Sequence, residues 1–176
     1  MSTLLIRDAR DCDRDAIAAM TLAAYQQYAA LMPDLWEAYR ANITATLAEV
    51  RPAEQLVAEQ DGRIVGTVLL YPGGMPTQNA DGVVIGQMAP EVRLLAVEPA
   101  ARRQHIGEAL MHECIGRARR AQATALTLHT ADIMQAAMRL YQRLGFERAA
   151  ELDFEPAPGA LIKGYRLRLE APPRST

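Results

Sequence analysis

EVRLLAVEPAARRQHIGEAL, residues 91–110, changes from one hydrophobic period to another within a few positions. Glu91 to Val97 reads as a strand that Pro99 stops. Downstream, Ile106, Leu110, Cys114 and Ala118 recur at a spacing of four, which marks a helix. The segment is therefore strand, sharp loop, helix. A helix start leaves up to four backbone N–H groups without internal partners and carries a partial positive charge, so residues 103–108 can hold a phosphate. Arg102 and Arg103 add positive charge, and Gly107 lets a bulky ligand approach the main chain. A pyrophosphate suits this geometry. On spacing alone an equal alternative stands, in which the arginines are solvated and Gly107 is a packing glycine. A nucleoside-triphosphate loop is excluded because no G-x-x-x-x-G-K-[ST] occurs, and no G-x-G-x-x-G follows the first strand.

Working outward from this segment, TLLIRDA reads as a first strand. The next run, DRDAIAAMTLAAYQQYAALM, reads as a helix with Ile17, Met20, Tyr25 and Tyr28 inward and Pro33 ending it. A second helix over about residues 34–49 puts Leu35, Tyr39, Ile43 and Leu47 on one face, with Asp34 as its N-cap. Asp61-Gly62 lies between two Val/Ile/Leu-rich runs and predicts a tight hairpin. The Gly-, Pro- and Asn-rich stretch 72–89 predicts a long mobile connection. After the helix from His105, TALTLHT is a further strand. Asp132 and Gln135 then resemble a capping box for a helix with Ile133, Ala137, Leu140 and Leu144 as its stripe and Gly145 at its end. FERAAELDF and ALIKGYRLRL close the chain as two strands. A strand–helix–strand unit needs a parallel crossover whereas hairpins are antiparallel, so the expected class is α/β with a mixed sheet.

The chain has 176 residues, half of them hydrophobic, a formal net charge of −2 and two cysteines. Length predicts one domain over 1–170 with a polar tail at 171–176. The charge gives no overall attraction to nucleic acid. The basic run Arg117, Arg119, Arg120 falls late in a helix, where cations complement the dipole. Cys12 and Cys114 lack metal-ligand spacing, and the three histidines form no metal triad, so no metal is expected. The amino-terminal stretch is too charged for a signal peptide, and no apolar run approaches the roughly 20 residues that span a bilayer. The expectation is a soluble, cytoplasmic protein.

RLLAVEPAARRQHIGEALM resembles the coenzyme A-binding motif of the GNAT superfamily of N-acetyltransferases, R/Q-x-x-G-x-G/A, with Arg102, Gln104, His105 and Gly107 in its frame. AAMRLYQRLGFER resembles the family's second characteristic stretch through Tyr141, Gly145 and Phe146. The resemblance implies a mixed, mostly antiparallel twisted sheet of six to seven strands flanked by about four helices. It also implies acetyl-CoA as co-substrate and acetyl transfer to a primary amine of a small molecule or peptide, by direct attack in a ternary complex. Family habit points to a homodimer. Leu95, Ala96, Val97, Arg102, Arg103, Gln104, His105, Ile106, Gly107, Glu108 and Met134 are the implied cofactor-binding positions. Two of them depart from the pattern. His105 replaces the first glycine, and Met134 stands where many members carry an asparagine. His105 is neutral for the cradle if helical, because any residue but proline supplies an N–H. A left-handed backbone there costs about 1–2 kcal/mol, although histidine is enriched in that region.

An alkyl ammonium near pKa 10 must lose a proton before attack. Glu91, at the position where some family members carry a glutamate base, is the candidate, against the alternative of a solvent-exposed strand-end charge; His129 is the weaker candidate. A main-chain N–H around Leu95 to Val97 would polarise the thioester carbonyl. Tyr141 matches the tyrosine that protonates the departing thiolate, against the alternative of a core tyrosine. A phenol near 10 donating to a thiolate near 8.5 is uphill by roughly 2 kcal/mol. Tyr25, Tyr28, Trp36 and Tyr39 are either acceptor-lining or core. The competing functional class is a coenzyme A-binding regulatory or structural domain without turnover.

Overall fold

The computed structural model describes residues 3–78, 84–87 and 89–169. The elements follow in the order β1 (Leu4–Asp8), α1 (Arg14–Tyr25), α2 (Pro33–Ala48), β2 (Glu54–Gln60), β3 (Arg63–Tyr71), β4 (Met75–Gln78), β5 (Val84–Gln87), β6 (Glu91–Val97), α3 (Ile106–Arg120), β7 (Ala125–Thr130), α4 (Gln135–Arg143), β8 (Glu147–Arg148) and β9 (Lys163–Arg168). Seven strands form a sheet in the order β1-β2-β3-β6-β7-β9-β8. β6 and β7 pair in parallel, as the α3 crossover requires, while β1–β2, β2–β3, β7–β9 and β8–β9 pair antiparallel. The expected mixed, mostly antiparallel sheet with four helices is observed.

The chain divides into two compact units, residues 1–70 with 94–113 and residues 71–93 with 114–176, so that β6 and α3 each run from one into the other. In the first unit, Asp61 and Gly62 have φ of 52° and 77°, the paired positive values of a type I′ turn, and they join β2 to β3 as predicted. Gly66 on β3 is required by close packing. A Cβ there would lie 2.9 Å from Ile106 Cγ2 and 3.0 Å from Leu110 Cδ1, so the glycine lets the start of α3 settle onto the strand. Arg7 on β1 bonds Asp13 at 2.6 Å and Glu59 at 2.7 Å, tying two strands to the entry of α1. The Arg7 hydrogen bond holds the Asp13 carboxyl below its usual range against the opposing effect of burial.

Three local expectations are corrected in this unit. The first helix ends at Tyr25 and continues as a 3-10 segment over Gln26–Leu31. Pro33 does not terminate a helix but opens α2 at its first position, where a missing N–H costs nothing, so Met32 and not Asp34 is the N-cap. Leu35 is 40% exposed while Trp36 is buried, which rotates the inward face of α2 to Trp36, Tyr39, Ile43 and Leu47.

In the second unit, β4 and β5 form an antiparallel hairpin from Met75↔Gln87 to Gln78↔Val84. The stretch 72–89 thus carries regular pairing where an irregular connection was expected. Its glycines and prolines obscured the β-branched Thr77, Val84 and Ile85, and Pro76 is tolerated because β4 pairs with β5 alone among the described residues. The capping box is also corrected. Met134 is the N-cap of α4, the Gln135 side chain donates to the Asp132 carbonyl at 2.6 Å, and the Asp132 carboxylate pairs with Lys163 Nζ at 2.7 Å. FERAAELDF yields only the two-residue β8 followed by a 3-10 turn at Ala150–Leu152. Gly164 on β9 sits against that turn. A Cβ would collide with Leu152 Cβ and stand 2.9 Å from the Ala149 carbonyl oxygen. The tail 171–176 lies outside the described residues. Among the described residues no helix is long and apolar enough to cross a membrane.

Candidate functional site

In the first unit the site is built on the passage from β6 to α3. β6 is interrupted at Leu94, whose φ of 49° is left-handed, an outlier for a bulky residue that marks a break in strand regularity. The next carbonyl, Leu95 O, accepts a hydrogen bond from Tyr25 Oη at 3.3 Å. After Val97 the Glu98 amide donates to Val65 O at 2.9 Å, and Pro99–Ala101 make a single 3-10 turn. Arg103 and His105 then both adopt left-handed backbone, with φ of 63° and 58°. The Ala109 amide donates to His105 O at 2.9 Å, which makes His105 the residue that opens α3. The amides of His105, Ile106, Gly107 and Glu108 therefore lie at the amino end of a 15-residue helix.

His105 takes the strained of its two foreseen conformations, at about 1–2 kcal/mol, and two such residues within three positions mark a backbone held in place by its surroundings. Arg103, Gln104 and His105 are exposed. Arg102 is placed differently. Its guanidinium donates to Gln27 Oε1 at 3.2 Å and to Ala24 O at 3.1 Å, so it satisfies a carbonyl in the last turn of α1 and adds its charge from that anchored position. The His105 ring meets Glu108 Oε2 at 3.1 Å, and His112 Nε2 lies 3.9 Å from Glu108 Oε1. Both rings thus flank an acidic side chain in the first turn. Nearby, Tyr25, Tyr28, Trp36 and Tyr39 form an aromatic cluster with centroid separations of 5.9 to 6.4 Å. Tyr25 and Trp36 are buried, which favours the core reading for these two; Tyr28 and Tyr39 are half-buried, and burial pushes both phenols above their ordinary range.

In the second unit Glu91 is 2% exposed, which rules out the solvent-exposed alternative. Both carboxylate oxygens are engaged. Oε1 meets His129 Nδ1 at 2.7 Å, and Oε2 accepts from Arg93 Nη2 at 2.6 Å. Burial pushes this carboxyl up, but the hydrogen bonds from His129 and Arg93 outweigh it and hold Glu91 below the usual carboxylate range. His129 Nε2 lies 2.9 Å from Leu152 O, which can only accept, so Nε2 donates this bond. Phe154 packs edge-on against the imidazole at 5.2 Å. The Arg93 guanidinium lies 4.7 Å over the Tyr71 ring, and burial raises the Tyr71 phenol.

The structure thus joins the two base candidates named from the sequence, Glu91 and His129, into one hydrogen-bonded pair, and adds Arg93 and Tyr71. Alternation along β6 could have placed Arg93 beside Glu91, two residues apart on one face. The His129 contact depends on the β6–β7 register, Glu91↔Thr127 and Val92↔Leu128, which no local pattern encodes. Tyr141 is buried on α4 with its ring 5.9 Å from Phe146. Met134 is half-buried at the α4 N-cap. Among the described residues no group of three or more His, Cys, Asp or Glu side chains is placed to hold a metal ion.

The sheet, with its parallel β6–β7 crossover and an α3 start shaped by left-handed backbone, has the α/β fold of acetyltransferases. Residues 17–146 match the model of the Acetyltransferase (GNAT) family, and the chain belongs to that family. A Xenopus tropicalis protein named Probable N-acetyltransferase camello is 37% identical over 93 residues, covering 53% of this chain and 38% of that protein. The chain thus matches less than half the length of that relative. Among solved structures, the ribosomal-protein-S18-alanine N-acetyltransferase from Escherichia coli has a TM-score of 0.68 at 18% identity, covering 99% of both chains. A GNAT family acetyltransferase from Brucella melitensis in complex with acetyl-CoA has a TM-score of 0.58 at 22% identity, covering 96% of this chain and 89% of that one.

Proposed function

We propose that this protein transfers an acetyl group from acetyl-CoA to a primary amine of a small molecule or peptide, by direct attack in a ternary complex. The observation that carries the reading is the β6-to-α3 passage. It has left-handed Arg103 and His105, the amides of residues 105–108 at a helix amino end, and an exposed Arg103. That donor set fits a pyrophosphate, because main-chain N–H groups and a helix dipole favour an anion without any particular side chain. Leu95 to Val97 and Arg102 to Glu108 are the residues we assign to the cofactor in this unit, with Met134 in the other.

Acetyl-CoA supplies an activated acyl group, and the remaining work falls to this chain. The acceptor ammonium must be deprotonated. Glu91 is the proposed acceptor of that proton, and His129, bonded to its Oε1 at 2.7 Å, holds it in place. Arg93 keeps the carboxylate oriented. Tyr141 is the proposed acid that returns a proton to the departing thiolate. The main chain around Leu95 to Val97, downstream of the break at Leu94, supplies the N–H that polarises the carbonyl.

A coenzyme A-binding domain without turnover is the second reading, and one observation favours it: both oxygens of Glu91 already have partners. Thiol release from acetyl-CoA, measured across small amines and peptide amino termini, separates the two. Saturable release that depends on the acceptor is expected. Coenzyme A binding with no release under any acceptor would establish the binding domain instead.

A further inference from the structure

Two arginines show what a guanidinium does when the fold satisfies it. In the first unit Arg7 holds two carboxylates at once, Asp13 through Nη1 and Nη2 and Glu59 through Nε. In the second unit Arg148 places both terminal nitrogens on Asp153 and adds the Gly164 carbonyl. Arg93 differs from both. Its one side-chain bond among the described residues runs from Nη2 to Glu91 Oε2 at 2.6 Å. A guanidinium carries five N–H donors in a fixed fork, so Nε and Nη1 of Arg93 have no partner among those residues. Two contacts nevertheless fix its plane, the buried Glu91 carboxylate and the Tyr71 ring, 4.7 Å below the guanidinium. The side chain is 40% exposed, so a ligand can reach it.

Glu91 and Arg93 present one negative and one positive group side by side on one face of β6. An amine brings a partner for the first and leaves the fork unfilled; a molecule with an ammonium and a carboxylate on one carbon brings a partner for each. We propose that Arg93 binds a carboxylate of the acceptor, with the amine toward Glu91, so that the acceptor class is the free α-amino acids. The ligand carboxylate would complete Arg93 as Glu59 completes Arg7. A fork–carboxylate pair is charge-assisted and fixes orientation as well as affinity. A peptide amino terminus carries a neutral amide at that position and offers the fork no charge. The inference rests on the acetyl-transfer reading given above and narrows its acceptor to one class; Tyr71, Glu91 and Arg93 all lie in the second unit.

The test compares each free amino acid with its amide, with an amidated peptide that begins with it and with the amine that lacks the carboxyl group, by thiol release from acetyl-CoA. For the best amino acid, kcat/KM should exceed that of its amide by at least about ten-fold, the worth of a charge-assisted hydrogen bond, with most of the difference in KM. Arg93→Gln should lower activity and bring that ratio near one. Arg93→Lys, which keeps the charge without the fork, should retain part of the preference. Melting temperatures show that each variant is folded, and should Arg93→Gln not fold, the wild-type ratio and Arg93→Lys decide. A wild-type ratio of one or less, or release with amidated peptides alone, would overturn the inference and leave the acetyl-transfer reading intact. A preference that survives Arg93→Gln undiminished would overturn it as well. Absence of release with every acceptor would overturn the acetyl-transfer reading instead. Calorimetric titration of the amino acids into the coenzyme A-loaded protein then decides for Arg93: binding that Arg93→Gln abolishes upholds the carboxylate site, and no binding to wild type removes it.

Discussion

The start of α3 and the first residues of β6 treat charge in opposite ways. At α3 the side chains of Arg103, Gln104 and His105 are exposed, and the chemistry offered is main-chain N–H, held by two left-handed residues. At β6 the carboxylate is buried and its two oxygens are taken by His129 and Arg93. The first arrangement offers main-chain donors; the second holds a buried charge between two side chains. Side-chain identity therefore matters little at His105 beyond its backbone, and matters greatly at Glu91.

The largest expected effect tests the support of the buried cluster. Gly164→Ala drives a Cβ into Leu152, whose carbonyl receives the His129 bond, so denaturant unfolding should show a loss of about 1–3 kcal/mol. Stability equal to wild type would mean that this turn yields freely and does not fix His129. Next in size is His105→Pro. Proline removes the amide and cannot adopt a φ of 58°, so coenzyme A should bind at least about ten-fold more weakly, a difference of roughly 1.4 kcal/mol. Unchanged calorimetric affinity would remove this amide from the cradle.

Acid titration sharpens the contrast further. Because Glu91 sits below its ordinary value of 4.5 in the folded protein, its contribution to stability is fully present above that value and is lost as the pH falls through the folded one. Glu91→Gln should therefore lower the melting temperature near neutrality by about a few degrees, with the gap to wild type closing below the ordinary carboxylate value. A gap that widens in acid would reverse the assignment. Smallest is His105→Gly, which relieves left-handed strain and should raise stability by up to about 1 kcal/mol with coenzyme A affinity kept within a few-fold.

Where sequence and structure agree, a local signal had a local cause. Asp61-Gly62 supplied both positive φ values of its turn, and Ile106, Leu110, Cys114 and Ala118, all buried, shared one helix face whatever surrounded them. Pro33 misled because the same ring that ends one helix can begin another, and which it does depends on the 3-10 segment before it. Leu35 and Trp36 exchanged places because adjacent apolar residues leave the inward face of a helix undetermined until tertiary packing selects it. The hairpin of β4 and β5 was hidden by turn-forming residues, since pairing depends on two segments at once.

The site follows the same division. The phosphate-binding reading came from a strand, a loop and a helix contiguous in sequence. Glu91 was singled out, but its burial and its bond to His129, 38 residues away, came from the parallel pairing of β6 with β7.

The central claim is that main-chain amides at the start of α3 hold the pyrophosphate of coenzyme A. Hydrogen exchange of the wild-type protein, followed by mass spectrometry with and without saturating coenzyme A, tests it directly. The account predicts ligand-induced protection concentrated at residues 103–108. Coenzyme A binding that leaves exchange at those residues unchanged would contradict it.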